Sequence, residues 1–159
     1  MAHSATGTLS VNAAFLQEIK EDDRELQQLL EHLSCQLGNP AGAPDQPRQL
    51  VESVARLRDR LALHFSLEEA YGYFEDAVAV APRLSNKAAA LRGEHQELVR
   101  AVCQIADQAE QALHDKAPPA DVGLITNALQ EFLSVFRLHE SRENELIVES
   151  LNDDIGVGD

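Results

Sequence analysis

Residues 125–146, ITNALQEFLSVFRLHESRENEL, decide how this chain folds. Apolar side chains fall at Ile125, Leu129, Phe132, Phe136 and Leu146 on a line stepped alternately by four and three residues. That spacing predicts an amphipathic helix with one buried face. The same line also passes through His139 and Glu143. A buried imidazole or carboxylate without a partner is costly, so these two call for partners on other segments.

Working outward, three more stretches carry such a line. In the first it runs Leu16, Ile19, Asp23, Leu26, Leu30, Leu33, Leu37. In the second it runs Leu50, Val54, Leu57, Leu61, His64, Glu68, and in the third Leu91, His95, Leu98, Val102, Ile105, Ala109. Three breaks separate the four stretches: GNPAGAPDQP at 38–47, APRLSN at 81–86 and KAPPADVG at 116–123. Each places Pro beside Gly, Asn or Asp, which ends helices and turns the chain. Helices are therefore expected over 12–37, 47–76, 86–115 and 122–151, each about 40 Å long at 1.5 Å per residue. The expected fold is all-α, an antiparallel up-down-up-down four-helix bundle. Residues 1–11 are expected to be a disordered N-terminus and 152–159 a flexible tail. Gly38 suits a left-handed residue after the first helix, Pro47 a first-turn proline, and Ser85 and Asp121 suit N-caps.

Every line is apolar except in one place, and the exceptions are Asp23, His64 with Glu68, His95, and His139 with Glu143. In an antiparallel bundle all of these fall in one slab, roughly 12–18 Å from one end. Inward polar groups at a single level of a bundle core make a metal site. The second and fourth helices each carry His-x-x-x-Glu, as HFSLE and HESRE, and residues i and i+4 share a helix face. Asp23 precedes His64 by 41 residues and His95 precedes His139 by 44. The chain thus reads as a pseudo-repeat of two hairpins, with Asp23 standing where His95 stands. That symmetry selects Asp23 over its neighbour Asp22, which falls off the line. Three imidazoles and three carboxylates can balance two divalent ions, with glutamates bridging and histidines capping. Mixed N/O ligation suits iron or manganese, and leaves zinc and copper open.

Composition narrows the setting. Hydrophobic residues make up 44%, enough for a core, and the net charge of −14 opposes nucleic acid and anionic membrane surfaces as partners. Cys35 and Cys103 are the only cysteines, and no secretory signal or spanning segment is legible, so a cytoplasmic location is expected. His32 and His3 are off the line, and His114 suits a helix C-terminus. Glu69 reads as a surface group or an outer support, and Phe65, Tyr71, Tyr73 and Phe74 as packing at the bundle end.

The combination HFSLEEAYGYFE, LRGEHQEL and HESRENELI resembles the bacterial hemerythrin-like (HHE cation-binding) family, from about Phe15 to Leu151. The resemblance implies a four-helix bundle around a bridged di-iron centre. It assigns His64 and Glu68, His95, and His139 and Glu143 as ligands. The family's first helix carries Asp-His, whereas here EDDREL puts Asp23 at the His position. Direct ligation, ligation through water and failure to reach are all open for that shorter, anionic side chain. Val99 stands where oxygen-carrying relatives have a further His, which argues against reversible oxygen transport. The implied function is a metal protein that senses, stores or handles oxygen, nitric oxide, peroxide or iron. Its partner at the metal is then a small diatomic ligand or peroxide. A di-iron oxidase, peroxidase or iron-repair enzyme and a metal-free interaction module are the alternatives.

Overall fold

The computed structural model describes the backbone of residues 6–38, 46–70, 72 and 74–156, with side chains within 21–38, 46–70, 72 and 74–152. Among these the chain is helical, with no strand: α1 (Thr6–Leu37), α2 (Gln46–Ala70), α3 (Glu75–Val80), α4 (Ser85–His114) and α5 (Pro119–Gly156), plus a 3-10 turn at Pro82–Leu84. Four of the helices are long, at 32, 25, 30 and 38 residues. No helix among the described residues is long and apolar enough to cross a membrane.

The stripes read from the sequence are the buried faces. Every residue of the second, third and fourth lines is buried, and so are Leu26, Leu30 and Leu33 of the first. Each fully buried Leu or Phe contributes about 1.5–3 kcal/mol relative to exposure, which is why the period of the stripe dictates the packing. The side chains of Leu16 and Ile19 lie outside the described residues. Along α2 and α1 the paired residues step in opposite order, Ser53 with Gln36 and then His64 with Asp22. Along α4 and α5 they do the same, Lys87 with Glu149 and then Glu94 with Arg142.

Two apolar clusters result. The larger holds residues from Leu26 to Leu33, Leu50 to Phe65, Leu98 to Ala109 and Val122 to Phe136. The smaller joins Phe74, Ala77, Ala81, Leu84, Ala88, Leu91 and Leu146. Glu68, His95, His139 and Glu143 fall in sequence between the two, and His64 lies at the edge of the larger, beside Phe65, so the polar level divides the core.

The connections differ from the expected ones, for local reasons. Helix α2 stops at Ala70, not 76, because Gly72 adopts φ 63 and turns the chain, its carbonyl accepting the Glu75 N–H at 2.8 Å. Helix α3 and the 3-10 turn then fold under the end of the bundle. Pro82 holds Ala81 extended, at φ −129 and ψ 79. The 3-10 turn runs directly into α4, so Ser85 is its first residue and not a cap. Asp121 lies inside the first turn of α5, which begins at Pro119. Gly38 closes α1 through an N–H bond to Ser34 without entering the left-handed region. Lys116, at φ 51, takes that role after α4, with Ala117 N–H bonding Ala112 and Lys116 N–H bonding Leu113. Helix α1 begins before the expected residue 12, and α5 runs past the expected 151 to Gly156. Residues 1–5, Tyr71, Tyr73 and 157–159 lie outside the described residues.

Two left-handed positions give a paired test. Gly72→Ala should cost about 1–2 kcal/mol in urea denaturation, since a Cβ disfavours this backbone. Lys116→Gly should raise stability by up to about 1 kcal/mol, by relieving the same cost. Equal stability of Gly72→Ala and the parent would contradict the turn described.

Candidate metal centre

Helix α2 presents His64 and Glu68 one turn apart, α5 presents His139 and Glu143 likewise, and α4 sets His95 between them. All five are buried, with exposures of 0–5%. Glu68 reaches two histidines, Oε1 at 2.9 Å from His64 Nε2 and Oε2 at 3.3 Å from His95 Nε2. Glu143 Oε1 lies 3.1 Å from His95 Nε2 and 2.7 Å from His139 Nε2. Three Nε2 atoms and two carboxylates therefore converge at one level. Aromatic rings floor it: Phe65 stacks on His95 at 4.1 Å, and Phe136 lies beside His139 and His64. Phe65 thus belongs to the site, whereas Phe74 packs the bundle end as expected.

The outward nitrogens are also held. His64 Nδ1 meets Asp22 Oδ2 at 2.7 Å, and His139 Nδ1 meets Glu94 Oε2 at 2.7 Å. An arginine backs each carboxylate. Arg142 binds Glu94 at 2.9 and 3.0 Å, and Arg60 stands 3.6 Å from Asp22 Oδ1, an ion-pair distance too long for a hydrogen bond, while also pairing with Glu25. A carboxylate on Nδ1 fixes the ring and leaves Nε2 facing inward, as outer supports of metal-binding histidines do. His95 Nδ1 has only Glu69 Oε1 at 3.5 Å and no hydrogen bond.

The first helix requires a correction. Asp22, placed off the line by the sequence reading, is buried at 4%, and the Asp23 side chain is 53% exposed. At 3.6 residues per turn Asp22 and Asp23 flank Leu26 by about 40° and 60° on opposite sides, so periodicity hardly separates them. Packing does, because the Asp22 side of α1 faces Arg60 and His64 of α2. Asp23 Oδ1 lies 3.6 Å from His64 Nδ1, the outer nitrogen.

Protons and charges crowd this level. Burial disfavours a charged His64, yet its hydrogen bonds and attraction to Asp22 and Glu68 raise its pKa to about 10. His139 is raised in the same way, against burial, by Glu143 and Glu94. Burial pushes Glu68 up and Glu143 adds to this, with His64 only partly offsetting it. Burial also penalises Glu143, but bonds from His139 and His95 hold it below the ordinary range. At the rim, burial raises Glu140 despite its bond from Gln27. Burial raises Asp23 too, with His64 opposing and Asp22 and Glu143 reinforcing.

These residues fit a cation. Glu68 Oε2 and His139 Nε2 are buried with no hydrogen-bond partner, although both sit against opposite-natured groups. Ligand atoms of His95, His139 and Glu143 lie within 4.8 Å of one another, as do those of Asp22, Asp23 and His64. Imidazole with carboxylate suits first-row divalent metals.

The structure brings His64, Glu68, His95, His139 and Glu143 together and leaves Asp23 at the edge. Glu94, Arg60 and Arg142 were not singled out in the sequence. Glu94 had a signal: it precedes His95 as Asp22 precedes Asp23, the same offset in both halves of the pseudo-repeat. His32 and Cys35 are exposed, His114 ends α4, Val99 packs against the larger cluster, and His3 lies outside the described residues.

The chain matches the hemerythrin HHE cation binding domain family over residues 14–151. No curated protein and no solved structure matches it.

The outer carboxylates make a prediction. Glu94→Ala should weaken the Zn(II) held by His139, and Asp22→Ala any Zn(II) held by His64, each about 10–100-fold in competition with a chelator. Glu94→Gln should lose less, since its amide oxygen still accepts the Nδ1–H of His139. Unchanged affinity in both alanine variants would show that these carboxylates do not support the centre.

Proposed function

This chain belongs to the hemerythrin HHE cation-binding domain family, and on that footing we propose that it is a non-haem di-iron protein that handles a small ligand. The bundle is read as antiparallel and up-down-up-down, which the opposed pairing along α1–α2 and α4–α5 supports. One observation carries the reading. Three helices aim imidazoles and glutamates at one buried level, where Glu68 Oε2 and His139 Nε2 lack hydrogen-bond partners.

His64, Glu68, His95, His139 and Glu143 would hold the ions, and Glu68, touching both His64 and His95, is placed to be shared. Bound iron would supply an open coordination position and one-electron redox chemistry. The chain does the rest: it orients the imidazoles through Asp22 and Glu94, and it excludes bulk water with Phe65 and Phe136. Donors so deeply buried favour oxygen, nitric oxide or peroxide over a bulky substrate. Val99 gives no proton or lone pair from α4 to such a ligand, which supports sensing or handling over reversible oxygen carriage. The free thiols Cys35 and Cys103 support a reducing cytoplasm as the compartment, and the charge of −14 argues against a nucleic-acid partner.

Metal removal tests the proposal. Protein loaded anaerobically with ferrous iron should retain metal through gel filtration and melt higher than the chelated form. A ligand at one hundred times its Kd adds about 2.7 kcal/mol. Glu143→Ala should abolish most of that gain. A chain that takes up no metal and melts unchanged after chelation would leave the metal-free interaction module in its place.

A further inference from the structure

The two halves of the polar level do not offer equal donor sets. On the α4–α5 side, His95 Nε2 and His139 Nε2 lie 3.1 and 2.7 Å from one carboxylate oxygen, Glu143 Oε1. Glu68 Oε2, buried and without a hydrogen bond, closes on the same group from α2 at 3.3 Å from His95 Nε2. On the α1–α2 side, Nε2 of His64 has Glu68 Oε1 at 2.9 Å. By the pseudo-repeat, Asp23 is the counterpart of His95, but it does not do what His95 does. Its side chain is 53% exposed, and its Oδ1 stands 3.6 Å from His64 Nδ1, on the far edge of the ring from Nε2. Asp22 cannot substitute, because its Oδ2 already holds that Nδ1 at 2.7 Å.

We propose that the centre has two unequal metal positions: a tight one formed by His95, His139, Glu143 and Glu68, and a weak one formed by His64 and Glu68 alone. This inference rests on the proposed metal function and adds an order of filling to it. The first divalent ion takes the α4–α5 position, where four protein groups converge. A second ion, with two protein donors, takes the remaining coordination from water or an exogenous ligand. The replacement of the family's histidine by Asp23 therefore acts by leaving a place open and not by supplying a carboxylate to the metal.

The test is a titration of metal-free protein with Co(II), followed by calorimetry and by the visible absorption of the bound ion. The expected result is two classes of site at least tenfold apart in Kd, or one tight ion alone. His139→Ala should remove the tight class. His64→Ala should keep it and remove only the weak one. Asp23→Ala should leave the tight Kd within about twofold, and circular dichroism on each variant checks that it folds. Two ions of equal affinity would overturn the inference while leaving the metal function standing, and so would loss of the first ion in His64→Ala. A protein that binds no Co(II) at all would overturn both.

Discussion

The cost of burying polar groups in a helical core governs this structure. His64, Glu68, His95, His139 and Glu143 lie at 0–5% exposure between two apolar clusters. They are paired with one another and, through His64 and His139, with Asp22 and Glu94. His64 is held charged to about 10, and Glu68 and Glu143 are driven in opposite directions. Such an arrangement is expensive unless the charges are paired and the lone pairs filled. A divalent cation meets both conditions at once. The remaining features of the fold are ways of keeping the donors in place for it.

Three of those features act from outside the donor set. Gly72 lets α2 stop two residues after Glu68, so that α3 and Phe74 can fold beneath the polar level and close the core. Phe65 and Phe136 floor the level from the other side and limit the rotation of the rings they touch. Arg142–Glu94–His139 and Arg60–Asp22–His64 reach from the surface to the outer Nδ1 nitrogens, leaving Nε2 of both rings facing inward. The two chains are equivalent at the carboxylate, one residue before Asp23 and His95. They differ at the arginine, which precedes His64 by four residues and follows His139 by three.

Much of this was legible in the sequence because period and chemistry agreed. The lines of α2, α4 and α5 were read residue by residue, and the two His-x-x-x-Glu pairs marked the polar level before any coordinates. Two things resisted. Counted from Ile19 and Leu26, Asp22 and Asp23 both lie close to the stripe. The pseudo-repeat favoured Asp23, and only packing against Arg60 and His64 turns Asp22 inward. The second break was sited at Pro82, where the chain does turn, but an earlier turn at Gly72 was hidden inside an otherwise helical run. Glu94 was overlooked because it sits beside the buried line and is itself partly exposed; its role follows from the His139 ring, not from its own position.

The account's central claim is that the Nε2 atoms of His95 and His139 and the carboxylates of Glu143 and Glu68 surround a cation. Crystals of metal-loaded protein, with diffraction collected on both sides of the iron absorption edge, test it most directly. The account predicts an anomalous peak at that level, within about 2.0–2.2 Å of the imidazole and carboxylate donors for a first-row metal. Ordered side chains there with hydrogen bonds alone, and no anomalous peak after loading, would contradict it.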